Sequence, residues 1–454
     1  MEVREVDSNI GMGMFTRQPL STGSAVYSDI PLVSMQHTAN RRFVQACQQC
    51  HMTVGSVREQ FRTIFNEPRF FNVDLSVLER GLQTDSMIRC ECGEVYCSDR
   101  CISMALSSHH RFMCVAHAGL HAQAVSDFKF YCLSVEGCGD NLLLLAQLLA
   151  VLCSRSEGSY EKFASQIADV LSFTNRPFSE VARPPIGQER DTEWDSWLES
   201  TIGGAFELMA SALVPQDSIF KTFFSSKLEA FGVCSRILSV FELNNIDIAV
   251  PTKLAAAVQK LVSACNLEEG RALELILREK EVVMKALWTD ESKGIYEDEV
   301  DEEEEEEILE DEMSEDMSDD DDHHHDHENV EEMLNEIRQQ VSQMPISDLA
   351  SESSFPDFHG TGFFVSVART NHSCSPNVSM EFEAGDGTVT CRALKDIPAG
   401  AELHMSYISR PESKSVETRR SQLADYLFDC QCQLCGSSLA YRQQNACKSI
   451  PLLA

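Results

Sequence analysis

The sequence predicts an α+β protein, rich in short strands toward both ends of the chain and helical through its centre. Three observations carry that reading: glycine-bounded apolar runs of period two near the termini, helix-spaced apolar residues between them, and cysteines gathered in close-set groups. Gly11-Met12-Gly13-Met14-Phe15-Thr16, then Pro19-Leu20-Ser21-Thr22-Gly23 and Val26 to Val33, read as a glycine turn entering a short β-meander. Residues 141–153, 159–172, 193–213 and 218–231 carry helical periodicity or helix-rich composition. Phe241 to Ile248 returns to a strand-like pattern, and 252–289 and 330–344 read as helices. Gly360 to Val367 restarts the β-structure, and Val378 to Phe382 pairs with Val389 to Leu394 around the turn Ala384-Gly385-Asp386-Gly387. Gly400 to Tyr407 alternates apolar and polar residues as a further strand.

With 454 residues, 43% of them hydrophobic, the chain can hold two or three domains around packed cores. Its net charge of −35 is unevenly spread, because residues 297–332 contain 23 acids and no Lys or Arg. Such a run cannot bury apolar area, so a disordered acidic insertion is expected there, either a solvated linker or an arm that attracts a basic protein. His323, His324, His325 and His327 lie within it as exposed imidazoles among carboxylates, a loose metal site at most. Met1-Glu2-Val3-Arg4-Glu5 has no apolar core of a signal peptide, and no stretch reaches the roughly 20 apolar residues of a membrane span, 141–153 coming nearest. A reducing, cytoplasmic setting is expected, with the nucleus left open, and the eighteen cysteines then point to metal ligands and buried thiols. The acidic balance argues against direct binding of nucleic acid, which needs a basic face.

Asn371-His372-Ser373-Cys374-Ser375-Pro376-Asn377 joins a polar turn to a cysteine, Gly400 to Tyr407 follows, and Cys430, Cys432 and Cys435 close the series as C-x-C-x-x-C. In this order the three segments resemble the SET domain of protein-lysine methyltransferases. The resemblance implies a β-rich SET fold with a knot-like C-terminal crossing, a cysteine-rich post-SET zinc segment and S-adenosylmethionine as cofactor. Tyr407 would direct its hydroxyl at the reacting groups, Tyr426 would line the lysine channel, and Phe428 would pack over the cofactor. Asn371 and His372 would hold the cofactor, Met12 and Gly13 would cover it, and Asn244 would touch it, with Asn245 a close competitor. Cys374, Cys430, Cys432 and Cys435 would hold one zinc ion.

Cys47-x2-Cys50, Cys90-x-Cys92, Cys97-x3-Cys101 and His110-x3-Cys114 supply ligands for two further tetrahedral sites. They resemble a MYND finger inserted in the SET fold. The interleaving of that family implies Cys47, Cys50, Cys97 and Cys101 on one ion and Cys90, Cys92, His110 and Cys114 on the other, three zinc ions in all. One residue separates Cys90 from Cys92 where the family usually has two, and 39 residues separate Cys50 from Cys90. That long insert, with no helical-repeat domain after Cys435, points within the SET-and-MYND family to its fifth member, in which the acidic tract lies elsewhere. The remaining seven cysteines, among them Cys132, Cys153 and Cys234, read as buried thiols.

The expected division is 1–46 (SET, N-terminal part), 47–114 (finger), 115–240 (helical insertion), 241–296 (SET segment and helices), 297–332 (acidic insertion), 333–410 (SET catalytic part), 411–440 (post-SET) and 441–454 (tail). The implied activity is methyl transfer to a lysine of a basic protein, a histone or ribosomal protein, by a monomer whose finger binds a peptide. A lysine amine ionises near ~10.4 and must lose its proton first, which an apolar channel would promote. Glu402 reads as a structural acid and His404 as surface or satisfied core. The rival is a catalytically silent, zinc-dependent adaptor; the presence of Asn371, His372, Tyr407 and Phe428 together favours the enzyme.

Overall fold

The computed structural model describes residues 1–7, 11–65, 87–135, 137–184, 190–250, 252, 357–382 and 385–436. The predicted helices 252–289 and 330–344, the acidic run 297–332 and the tail 441–454 lie outside them, apart from residue 252. The chain divides into two compact units, one of residues 1–54, 86–251 and 357–454, the other of 55–85 and 252–356. In the second, Val57–Phe65 is helical. Its start is a capping box: the Ser56 N–H donates to Glu59 Oε2 at 2.8 Å and the Glu59 N–H to Ser56 Oγ at 3.2 Å.

In the first unit, strands from the two ends of the chain pair with one another. Glu2–Asp7 (β1) and Gly11–Phe15 (β2) form an antiparallel hairpin; β1 carries few apolar residues and was not anticipated. Ala25–Asp29 (β3) and Val33–Gln36 (β4) are not one meander, because each is drawn into a different sheet. Ile88–Arg89 (β5) and Val95–Tyr96 (β6) make a two-residue ribbon in the finger region. Ile246–Val250 (β7) and Phe358–Phe363 (β8) complete a sheet ordered β4-β8-β7, with Val33 opposite Phe363 and Ile246 opposite Gly362. Asn371–His372 (β9) is followed by the anticipated hairpin Val378–Glu381 (β10) and Val389–Ala393 (β11), which continues to β3. His404–Met405 (β12) runs parallel to β9. The predicted strand 400–407 shrinks to these two residues, Glu402 making only an isolated bridge to Phe15.

Helices Gly139–Arg155, Tyr160–Val170, Thr192–Leu213 and Lys227–Asn244 build the main core. Leu144, Leu148 and Leu149 are fully buried, which explains a helix apolar on nearly every side without a membrane. Among the described residues no helix is long and apolar enough to cross one. Asp191 caps the longest helix by accepting the Trp194 N–H at 2.8 Å. The expected helix 218–231 is broken after Phe223 and restarts at Lys227, and the expected strand from Phe241 begins only at Ile246. Burial of Ile237, Leu238, Phe241 and Leu243 in the helical core overrides the local strand-like pattern as far as Asn244.

Candidate active site and metal clusters

The parallel pairing of β9 with β12 places the two most informative sequence segments side by side, with His404 opposite Asn371 and Met405 opposite His372. Asn371 Nδ2 donates to Glu402 Oε1 at 2.8 Å and to the Met12 carbonyl at 3.2 Å, so its amide braces the N-terminal hairpin against the segment leading to Tyr407. Gly13 is required at this crossing: a Cβ would lie 2.5 Å from Glu402 Oε1 and 2.7 Å from Val6 Cγ2. Asn377 spans the same crossing, donating to the Glu402 carbonyl at 2.8 Å and accepting the His404 N–H at 2.7 Å. Burial tends to raise the Glu402 carboxyl, but hydrogen bonds from His404 and Asn371 outweigh it and hold it below its usual range. Glu402 and His404 are thus satisfied by each other, 3.4 Å apart.

Tyr407 is the hub of an aromatic group. Its ring centroid lies 5.0 Å from Tyr426, 5.3 Å from His372 and 6.2 Å, edge-on, from Phe428. Its hydroxyl donates to the Thr370 carbonyl at 3.1 Å, and the Tyr426 hydroxyl donates to the Tyr407 carbonyl at 3.3 Å. Burial raises both phenols, so both keep their protons at neutral pH and act as donors. The His372 side chain is already spent. Its Nδ1 accepts the Tyr407 N–H at 3.0 Å, which leaves the proton on Nε2, 3.3 Å from Cys374 Sγ. Burial, with His404 nearby, lowers this imidazole to about 4 and keeps it neutral.

A cavity of about 490 Å³ opens beside Tyr407 and Tyr426. Asn244 and Asn245 both line it, but differently. Asn244 Nδ2 is committed to the Val240 and Thr174 carbonyls at 2.9 and 3.2 Å, whereas Asn245 donates to Thr361 Oγ1 at 3.1 Å and leaves a buried Oδ1 without a partner. The cavity wall is not the apolar one expected: Asp140, Glu242 and Asp247 contribute carboxylates, and His37 Nδ1 pairs with Asp140 Oδ2 at 2.9 Å. Burial raises Glu242, with Arg183 and Asn141 opposing. Met12, Gly13, Asn371, His372 and Phe428 do not line this cavity. No motif in the sequence marked His37, Asp140, Glu242 or Asp247, which come together only through the fold.

The predicted metal ligands gather in three groups of four: Cys47, Cys50, Cys97 and Cys101; Cys90, Cys92, His110 and Cys114; Cys374, Cys430, Cys432 and Cys435. Within each, the ligand atoms lie within 4.8 Å of one another. Four thiolates at about 2.3 Å around one ion would sit about 3.8 Å apart. Observed Sγ separations are 3.4 Å for Cys97–Cys101, 3.6 Å for Cys50–Cys97 and Cys90–Cys114, and 3.6 and 3.9 Å from Cys374 to Cys435 and Cys430. These are too long for disulfides and suit a shared tetrahedral ion. Behind the second group His110 Nδ1 faces Glu94 Oε2 at 3.4 Å, and Glu94 pairs with Lys129 at 3.1 Å; neither partner was anticipated. Cys132, Cys138, Cys153, Cys234 and Cys391 are buried free thiols, and Cys265 and Cys447 lie outside the described residues.

The SET domain family matches residues 261–408. Near full length, the chain is 21% identical to the protein-lysine N-trimethyltransferase SMYD5 of Danio rerio, over 97% of this chain and 88% of that one. It is 22% identical to the histone-lysine N-methyltransferase ATXR2 of Arabidopsis thaliana, over 95% and 89%. A shorter stretch of 77 residues, 17% of each chain, is 39% identical to the histone-lysine N-methyltransferase SMYD3 of Homo sapiens. The SET match, the near-full-length relatives and the cysteine clusters converge: the chain carries a SET domain and is a protein-lysine N-methyltransferase similar to the SET-and-MYND enzymes.

Proposed function

We propose that this protein transfers a methyl group from S-adenosylmethionine to a lysine of a basic protein. The observation that carries the proposal is the placement of Tyr407, whose ring touches His372 and Phe428 while the residue lines an acid-bearing cavity. On one side Met12, Asn371, His372 and Phe428 form a connected patch, tied by the Asn371–Met12 hydrogen bond and the 5.8 Å contact of His372 with Phe428. Met12 and Phe428 keep 39% and 36% of their surface exposed, an apolar ledge and an aromatic face suited to a nucleoside. The residues therefore fit the cofactor, with His372 serving through its backbone because its ring is occupied. When bound, S-adenosylmethionine supplies a methyl group on a positively charged sulfur.

On the other side the cavity wall carries Asp140, Glu242 and Asp247, which favour a cation and thus the ammonium of an incoming lysine. Bringing that amine from ~10.4 to about 7 or 8 costs roughly 3 to 5 kcal/mol and is opposed by these carboxylates; desolvation beside Tyr407 and Tyr426 and the positive charge of the cofactor's sulfur would supply it, the proton leaving to solvent. Tyr407 stays protonated and orients the reacting groups through its hydroxyl; Tyr426 holds the Tyr407 backbone and closes the wall. Asn245, with its unspent Oδ1, is the stronger candidate of the asparagine pair for a polar contact in the cavity, and Asn244 flanks it. Alignment and desolvation are the means of catalysis, with no general base among these side chains.

The finer architecture belongs to the same proposal. The first two clusters hold zinc as a MYND finger that binds a peptide, the third holds zinc as a post-SET segment, and the β9–β12 crossing is knot-like. The domain boundaries follow those expected from sequence, and the protein acts as a monomer. Histones and ribosomal proteins are the substrate classes, the first supported by the names of SMYD3 and ATXR2. The test is transfer of labelled methyl from S-adenosylmethionine to fractionated basic proteins by the parent and by Tyr407→Phe. Label incorporation by the parent and its loss in the variant are expected; equal incorporation by both would remove Tyr407 from the chemistry.

A further inference from the structure

Arg419 sits on the helix Val416–Ala424, whose first turn is capped by Ser415 Oγ accepting the Thr418 N–H at 3.1 Å. It is 5% exposed, and among the described residues no carboxylate pairs with it. Nη1 donates to the carbonyls of Pro411 at 3.1 Å and Lys414 at 2.6 Å, while Nη2 reaches the Leu434 carbonyl at 3.5 Å and Cys435 Sγ at 3.8 Å. Carbonyls satisfy N–H groups but carry no net charge, and a buried guanidinium without a counter-charge is strongly destabilising. Among the described residues, the one source of negative charge within its reach is the sulfur cluster. Four neutral thiols would not provide it. Four thiolates on a divalent ion leave a net charge of about −2, half of which one guanidinium offsets.

We propose that Arg419 is the counter-ion of the third metal cluster, a positioning residue that donates to the Cys435 thiolate and sets how tightly the cluster holds its ion. The inference rests on the proposed zinc occupancy of Cys374, Cys430, Cys432 and Cys435. It explains why an arginine is buried where no acid meets it, and it distinguishes this cluster from the second, whose histidine is backed by Glu94. The fork geometry matters as well as the charge, since one nitrogen holds the chain at Pro411 and the other reaches Leu434, between the ligands Cys432 and Cys435.

The experiment uses full-length protein purified with its zinc. Metal content and alkylation of the untreated parent are measured first; Cys374, Cys430, Cys432 and Cys435 modified without chelator would undo the occupancy on which the inference rests. The protein is then exposed to a chelator and an alkylating reagent, and modification of each cysteine is followed by mass spectrometry in the parent, Arg419→Met and Arg419→Lys. Loss of an outer-sphere partner typically weakens a metal site about 10- to 100-fold, so in Arg419→Met the peptides of Cys374, Cys430, Cys432 and Cys435 should lose protection faster by that factor. The other two clusters should keep parental rates. Arg419→Lys, which retains charge without the fork, should fall between them, and it carries the test should Arg419→Met fail to fold. Parental protection in Arg419→Met, acceleration at all three clusters alike, or Arg419→Lys no better protected than Arg419→Met would each overturn the counter-ion role.

Discussion

The second and third metal clusters draw on similar ligands yet are joined to the molecule in opposite ways. Cys90, Cys92 and Cys114 share a small core with the cysteines of the first cluster and with Val54, Val95, Tyr96 and Ala105, while His110 is backed by Glu94, which pairs in turn with Lys129. Cys374 instead touches the His372 ring, which accepts the Tyr407 N–H, while Tyr407, Ile408 and Tyr426 pack on the cluster. One cluster fastens a local fold; the other shares a wall with the proposed active site. A metal ion can therefore be structural in both and still matter very differently to catalysis.

The sharpest way to break this comparison is to remove one ligand from each cluster. Cys374→Ala should lose one zinc and essentially all methyl transfer, because an unformed cluster releases the wall that carries Tyr426 and Phe428. Cys90→Ala should lose one zinc and thermal stability while its folded fraction keeps turnover on a short lysine peptide within about an order of magnitude. Zinc content, melting temperature and turnover together decide it; equal loss of turnover in the two variants would mean that the clusters are not functionally distinct. Tyr407→Phe comes next. Removing a positioned donor typically costs about 10²- to 10³-fold in kcat, and KM should stay within a few-fold because the hydroxyl holds no ground-state partner except the Thr370 carbonyl. Steady-state kinetics on the peptide checks the split, and near-parental kcat would end the assignment.

What could be read from the chain beforehand follows the same division. Spacings along the chain marked the ligand pairs, but which pairs share a site was legible only through the resemblance to a MYND finger, whose interleaving the fold assembles. The segment Asn371 to Asn377 and Tyr407 were legible through the ordered resemblance of their motifs to a SET domain, since composition alone would place Tyr407 in a core. The acid-lined cavity was not legible. His37 and Asp140 are separated by about a hundred residues and meet through packing of the β4 sheet edge on the helix Gly139–Arg155, a contact that no local pattern encodes. Nor was the fate of Phe241 to Asn244, where four residues suited to either state were decided by the depth of the core they face. Arg419 stood beside Arg420 in an ordinary charged helix, and only its burial marks it.

The link from cluster to tyrosine can be tested more finely at His372. His372→Ala leaves the Tyr407 N–H without its acceptor, a loss of about 1 to 3 kcal/mol for a buried donor and roughly ten- to a hundredfold in turnover if strain is passed to Tyr407. His372→Asn places an amide oxygen near the Nδ1 position and should recover a large part. The expected order of turnover is parent, then Asn, then Ala, with zinc content unchanged. An Asn variant no better than Ala would show that the imidazole acts by its bulk, and the wire between cluster and tyrosine would be lost.

The smallest expected effect lies in the cavity wall, away from all three clusters. Burial lowers His37, but its hydrogen bond to Asp140 and the charge of Asp140 outweigh that and raise it; burial likewise opposes Asp140, and its bonds to His37 and Thr38 lower it. A raised histidine stabilises the fold fully below its unfolded value of about 6.5, and that contribution is lost as pH climbs through the folded value. A lowered carboxylate contributes above about 3.9 and loses its contribution as pH falls through its folded value. The pair is therefore worth most between those two limits. With side chains 35% and 24% exposed, screening reduces it to about 0.5 kcal/mol, or about 1 °C in melting temperature. His37→Gln should melt lower than the parent by that amount at pH 5.5 and match it at pH 8.5. Pairing each variant with its parent at one pH cancels the common acid sensitivity of the metal ligands. A difference that persists unchanged at pH 8.5 would mean that His37 acts as a neutral hydrogen-bond donor, and the ion pair would drop out of the account of the cavity.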